Sequence, residues 1–249
     1  MKAEAGAASN DSSWATVPTP PAARRVSVLE GHALWAPTYD QALNPLLALE
    51  ERELETLLPD LRNKFVLDVA CGTGRWLSKL KRQGARAGAG LDMSFEMLAR
   101  ASVKRSLRGG LIHGDACALP IRSGVADVVV CSFAVGYVDN LPAFASELAR
   151  VTRTAGQVFV SDFHPANHSR GWRRAFRTGG EVVEICSTVR PLAQICAEFE
   201  TQGLKLETSL EPCFDEPERT LFDRSGRGQL FEAAREGPAI FICCLRRVL

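Results

Sequence analysis

The chain has 249 residues, 46% of them hydrophobic, enough for one α/β domain with a sizeable core or such a domain with a modest insertion. Thirty basic residues stand against 29 acidic ones, a net charge of +1, so no global field draws the protein to nucleic acid or to an anionic membrane. The eight cysteines form no C-x-x-C pair, which argues against a zinc site or a disulfide framework and for a reducing, cytoplasmic compartment.

Residues 1–25 are rich in Ala, Ser and Pro and read as a disordered tail. The residues after Lys2 are no continuous apolar run, so no signal peptide is expected, and no apolar run is long enough to span a bilayer. Trp35, Pro37 and Tyr39 form an aromatic cluster that either packs on a sheet or acts as a lid. Pro45 opens a helix through Leu46, Leu49, Leu54, Leu57 and Leu58, and Pro59 ends it.

Phe65 to Val69 is an apolar, buried strand interrupted only by Asp68. Gly72 and Gly74 make a tight turn, and Trp76, Leu77 and Leu80 follow at helical spacing. Strand, glycine turn and helix present free backbone N–H groups to a polar ligand. A dinucleotide fingerprint needs a third glycine, and Arg75, Trp76 and Leu77 stand there instead, which counts against an NAD-dependent oxidoreductase.

Arg86 to Asp92 is a short second strand ending in an acid about 20 residues past the turn, where a ribose-binding carboxylate is expected. Asp92 also stands where a helix N-cap would, although Ser94 is the better cap. Leu111 to Asp115 and Ala126 to Phe133 read as the third and fourth strands. Leu141, Phe144, Leu148 and Val151 mark a helix that Thr154 to Gly156 ends, and Gln157 to Asp162 is the fifth strand.

In residues 163–189, Arg170, Arg173, Arg174 and Arg177 fall at i, i+3, i+4 and i+7, one stripe if the segment is helical. Such a stripe is either a solvated or acid-paired face, with Glu181 and Glu184 as partners, or an anion site beside His168 and Trp172. His164 lies at the carboxyl end of the fifth strand, where ligands bind in open α/β sheets, and is the candidate base or substrate contact. Tyr137, after the fourth strand, is a second candidate. Pro191 to Gln202 forms a helix closed by Gly203. Leu204 to Leu210 and Pro238 to Leu245 are the last strands, with a helix around Gly228 to Arg235 between them.

The wording Leu67-Asp-Val-Ala-Cys-Gly-Thr-Gly74 resembles the first motif of class I S-adenosylmethionine (SAM)-dependent methyltransferases. Gly114-Asp-Ala, Leu119-Pro and Asp127-Val-Val are similar to that family's adenine-binding stretch and fourth strand, and Trp35-Ala-Pro-Thr-Tyr-Asp40 to the N-terminal segment of its type 11, ubiquinone-biosynthesis-like group. The resemblance implies a Rossmann-like, seven-stranded, mostly parallel sheet of order 3-2-1-4-5-7-6 with helices on both faces. It implies one SAM-dependent methyltransferase domain over 26–249, with a lid at 26–60 and an insert at 164–190. The cofactor residues it implies are Tyr39, Asp68, Ala70, Cys71, Gly72, Gly74, Arg75, Asp92, Met93, Asp115, Ala116 and Phe133. His168, Trp172, Arg173 and Arg174 are then expected to meet a small-molecule acceptor, with His164 and Tyr137 at the reacting group and no metal. The nucleophile (O, N or C) and the oligomeric state are left open. A SAM-binding regulatory module without catalysis is the main alternative.

Overall fold

A run of three apolar residues, Val128-Val-Val130, lies at the centre of a seven-stranded sheet, and every one of them is buried. The computed structural model describes residues 23–248. The expected tail therefore lies almost wholly outside the described residues. The sheet comprises β2 (Phe65–Val69), β3 (Ala87–Asp92), β4 (Leu111–His113), β5 (Ala126–Ser132), β6 (Thr152–Phe163), β9 (Leu204–Leu210) and β10 (Ile240–Arg247), while β1 (Arg24–Val26), β7 (Ala175–Thr178) and β8 (Glu181–Ile185) form a second sheet. Its order is β4-β3-β2-β5-β6-β10-β9, which is 3-2-1-4-5-7-6 when its own strands are counted along the chain. All pairs are parallel except those of β10, which runs antiparallel to both β6 and β9.

Side chains alternate across a strand, so each central strand feeds two cores. Leu67, Val69, Val129 and Cys131 face α5 (Leu141–Val151) and α6 (Leu192–Thr201) through Phe144, Leu148 and Phe199. Val66, Val128 and Val130 face α2 (Pro45–Leu57) and α3 (Arg75–Arg82) through Leu49, Leu54, Trp76 and Leu77. Pro45 occupies the first turn of α2 behind an Asn44 cap, and Leu58 leaves the helix in extended backbone, as a residue before proline must. β6 starts at Thr152, directly after α5 and earlier than the expected Gln157. The 211–236 connection holds two helices, α7 (Glu216–Arg224) and α8 (Phe231–Arg235). The first was missed because only Phe222 in it is a large buried apolar residue, although its Asp215–Glu218 capping box was visible.

The arginine-rich insert is not the helix that its spacing suggests. Residues 165–167 form a single 3-10 turn, and β7 (Ala175–Thr178) and β8 (Glu181–Ile185) form an antiparallel hairpin turned at Gly179-Gly180. Phe176, Val183 and Ile185 supply β-forming, apolar residues that outweigh the charge spacing. The hairpin is completed by β1 (Arg24–Val26), which runs parallel to β8 from Arg24↔Val183 to Val26↔Ile185. This second sheet, of order β1-β8-β7, is covered by α1 (Val28–Trp35) and has its own small core of Val26, Phe176, Val183 and Ile185. The N-terminal segment and the insert are thus one cap, built from two pieces of chain.

Candidate active site

Two non-glycine residues hold positive φ where the central strands end: Ala70 (φ 58°) after β2 and Phe133 (φ 55°) after β5. Such backbone costs energy and persists only where its surroundings impose it. Both residues border the same cavity, of about 520 Å³, between the carboxyl ends of the strands and the cap. That volume suits a small organic ligand.

The two glycines of the turn do different jobs. At Gly72 (φ 53°) a Cβ would meet nothing within 4 Å, so its backbone stays open on the cavity side. At Gly74 (φ 76°) a Cβ would lie 2.3 Å from Leu107 Cδ1, so this glycine serves packing. Asp92 ties the turn to β3: its Oδ2 accepts from Gly72 N at 2.6 Å and its Oδ1 from Ser94 N at 2.8 Å. Ser94, not Asp92, caps α4 (Phe95–Ser102), accepting from Met97 N. Asp115 stabilises its own loop by accepting from Cys117 N at 2.8 Å and borders the cavity with Ala116 and Met93. Tyr39 lines it from the cap side, and burial pushes its hydroxyl pKa up. The cap is moored to the turn by Thr73 Oγ1 donating to Asp40 and by the Lys104–Asp40 ion pair at 2.8 Å.

Ala70, Gly72, Asp92, Met93, Asp115, Ala116, Phe133 and Tyr39 therefore converge, as do Tyr137, Arg173 and Arg174 at the cap end. Four expected cofactor residues stand behind this wall. Gly74 packs, as above. Asp68 is buried and accepts from Leu77 N at 2.8 Å, holding the start of α3, and burial pushes its carboxyl up to about 7. The Cys71 thiol is buried and pushed upward in pKa by burial. Arg75 is turned away to the carboxylate of Glu50 and to Ser132 Oγ at 3.0 Å.

Three expected acceptor-side residues are also displaced. His164 borders a second hollow of only about 40 Å³, where Nδ1 accepts from Ala166 N and Nε2 meets Glu211 at 2.8 Å. Its ring is occupied as a turn cap because Pro165 opens a 3-10 turn directly after β6. His168 lines that same hollow. Trp172 is buried, stacked near Phe214 and under the Arg170 guanidinium, as part of the core. The arginines have separate fates. Arg170 donates to the carbonyls of Ala233 and Ala234. Arg174 is buried against Asp162 at 2.6 Å and lies 4.7 Å from the Tyr137 ring centroid. Arg173 donates through Nη1 to the His168 and Trp172 carbonyls and pairs with no acid among the described residues.

Two more cavity residues were not among the expected site residues: His32 carried no sequence motif, and Trp35 stood only in the aromatic cluster before the first strand. His32 on α1 meets Tyr137 edge-on at 5.0 Å. The indole Nε1 of Trp35 is buried at the cavity wall without a hydrogen-bond partner among the described residues. An open glycine backbone, two carboxylates among apolar side chains and an unpartnered indole N–H fit a ligand with hydroxyl, amino and ring-nitrogen groups. SAM has all three. Among the described residues no helix is long and apolar enough to cross a membrane, and no cluster of metal-ligating side chains occurs.

Residues 67–160 match the methyltransferase domain family. The chain is 28% identical over 172 residues to a malonyl-[acyl-carrier protein] O-methyltransferase of Hamiltonella defensa, covering 65% of this chain and 66% of that protein. It is 35% identical over 121 residues to a demethylmenaquinone methyltransferase of Thermobifida fusca, covering 44% and 50%. The match thus spans half to two thirds of the length of these curated relatives. In fold it is similar to an S-adenosylmethionine-dependent methyltransferase of Mesorhizobium loti, with TM-score 0.64, 21% identity, and 82% of this chain on 100% of that one. A geranyl diphosphate C-methyltransferase of Streptomyces coelicolor A3(2), solved with S-adenosyl-L-homocysteine, gives TM-score 0.60 at 17% identity, 82% of this chain on 81% of that one.

Proposed function

We propose that this chain, whose residues 67–160 match the methyltransferase domain family, transfers a methyl group from SAM to a small-molecule acceptor. The observation that carries the reading is the single cavity shared by Gly72, Asp92 and Asp115 at one end and by Tyr137, Arg173 and Arg174 at the other. When bound, SAM supplies an activated methyl on a sulfonium. The protein's own work is to align an acceptor with it and to exclude water. Asp92 accepts from the ribose hydroxyls, Asp115 from the adenine amino group, and Met93, Ala116 and Phe133 enclose the adenine. Trp35, Tyr137 and Phe163 form an apolar wall for the acceptor, and Arg173 meets its anionic group. The names of the curated relatives, for malonyl-[acyl-carrier protein] and demethylmenaquinone, cover different acceptors, so the choice among O, N and C nucleophiles stays with the cap. The free cysteines suit a reducing, cytoplasmic setting.

Calorimetric titration tests the cofactor: SAM and S-adenosylhomocysteine should bind at micromolar levels and NAD should not. A NAD-binding, SAM-blind protein would sink the reading, and SAM binding without turnover of any acceptor would favour the regulatory alternative. Arg173→Ala should raise the KM of an anionic acceptor by roughly 10-fold or more, the scale of one charge-assisted hydrogen bond, and leave SAM affinity alone.

The cap is the proposed lid. Because β1 is a strand of the same sheet as the insert, both pieces should gain protection together. Hydrogen exchange with and without SAM should show 24–41 and 175–185 slowing in parallel. Protection of one piece only, or of neither, would make the cap a fixed wall.

A further inference from the structure

His32 differs from the other cavity groups in having a basic ring nitrogen that nothing among the described residues uses. Its Nδ1 lies 2.8 Å from the Val28 carbonyl oxygen, one turn back in α1. A carbonyl only accepts, so the ring proton sits on Nδ1 and Nε2 carries the lone pair. Nε2 has no hydrogen-bond partner among the described residues, and the residue borders the cavity. The ring also makes an edge contact with Tyr137, with centroids 5.0 Å apart. Tyr137 is in turn held by Arg174, and Arg174 by Asp162, which also accepts from Gly136 N at 2.7 Å. A neutral imidazole with a fixed tautomer and a free basic nitrogen is what a proton acceptor requires.

We propose that His32 is the base of the transfer, and so that the acceptor's nucleophile is an O–H or N–H group. This rests on the methyl-transfer reading above. In the step, a lone pair of the acceptor's oxygen or nitrogen forms a bond to the methyl carbon. The carbon–sulfur bond breaks and its electron pair stays on sulfur, which becomes a neutral thioether. The acceptor's proton passes to Nε2, leaving an imidazolium that later gives it to water. Two charges act on that imidazolium: Asp92, at the end of β3, favours it, and Arg174, before β7, opposes it. Burial, with Arg174 adding to it, outweighs Asp92 and the Val28 hydrogen bond and lowers the ring's pKa from its ordinary value near 6.5, so the ring is neutral and able to accept at physiological pH. Arg173, which lines the same cavity, would hold a carboxylate on the acceptor, and the aromatic wall a ring, so hydroxy- and aminobenzoates have the right chemistry.

The experiment uses the full chain, SAM, and para-hydroxybenzoate, protocatechuate and para-aminobenzoate as probes, comparing wild type with His32→Asn, whose amide can keep the bond to Val28. Nitrogen-15 spectra of the imidazoles at neutral pH should show His32 with its proton on Nδ1. The variant should lose about 10²–10⁴-fold in kcat on a probe that wild type methylates. It should also lose the acid limb below pH 6.5 and keep its SAM affinity within about twofold, a change of roughly 0.4 kcal/mol. An Nε2-protonated or charged ring, a variant with near-normal kcat, or a wild type that binds SAM and methylates none of the probes would overturn the assignment. So would a loss of SAM affinity in the variant, which would make His32 a cofactor contact. Wild type failing to bind SAM at all would instead sink the underlying methyl-transfer reading, and the base with it.

Discussion

Glu50→Ala should cost about 3–5 kcal/mol of stability, the penalty for removing one partner of a buried ion pair. Glu50 sits on α2, fully buried, and its carboxylate accepts from three directions: the Arg75 guanidinium and the Trp76 indole (3.0 Å) on α3, and the Ser161 hydroxyl on β6. Alanine would leave Arg75 charged without its main partner and two further donors unsatisfied, in a place water reaches poorly. At 2–4 °C per kcal/mol for a chain of this size, the melting temperature should fall by roughly 6–20 °C. Glu50→Gln keeps an acceptor oxygen and should lose less. Urea and thermal unfolding of the three proteins measure it, and a loss under about 1 kcal/mol, the range of an exposed ion pair, would show that the carboxylate is not holding these elements together.

Asp92→Ala should weaken SAM binding by about 1–3 kcal/mol, or roughly 5- to 150-fold in Kd. The structure sharpens the reason. Asp92 is the proposed ribose acceptor and also the group that holds Gly72 N and Ser94 N in place, so its loss removes a ligand contact and loosens the turn. Asp92→Asn separates the two, since an amide oxygen still accepts one backbone N–H while the charge is gone. Titration calorimetry of both variants gives the answer, and wild-type affinity in the alanine variant would remove Asp92 from the ribose site.

The sheet was legible because its strands are apolar runs between glycine and proline breaks, from Phe65–Val69 to Pro238–Leu245, and its order came with the family resemblance. The site was legible in part. The motif marked the turn that borders the cavity but did not separate residues that face the cavity, such as Gly72 and Asp92, from those that build the wall, such as Asp68, Gly74 and Arg75. Spacing along a chain does not say which side of a turn a side chain takes. The cap was not legible. β1 is three residues long and pairs with a strand about 160 residues away, a contact that local pattern cannot carry, and the arginines at helical spacing pointed the wrong way. Glu50 was hidden for a related reason, and its pairing with Arg75 with it: a charged residue reads as surface until its buried partner is known.

Parallel pairing of β1 with β8 also sets the unit of exchange for anyone altering this protein's choice of acceptor. A chimera that imports residues 164–190 alone would bring a hairpin whose edge has lost its neighbour strand and whose Phe176, Val183 and Ile185 no longer meet Val26. An exposed edge of that kind invites association with other chains. The transplantable part is therefore discontinuous, residues 24–41 together with 164–190, and a donor sequence must supply both halves matched to each other.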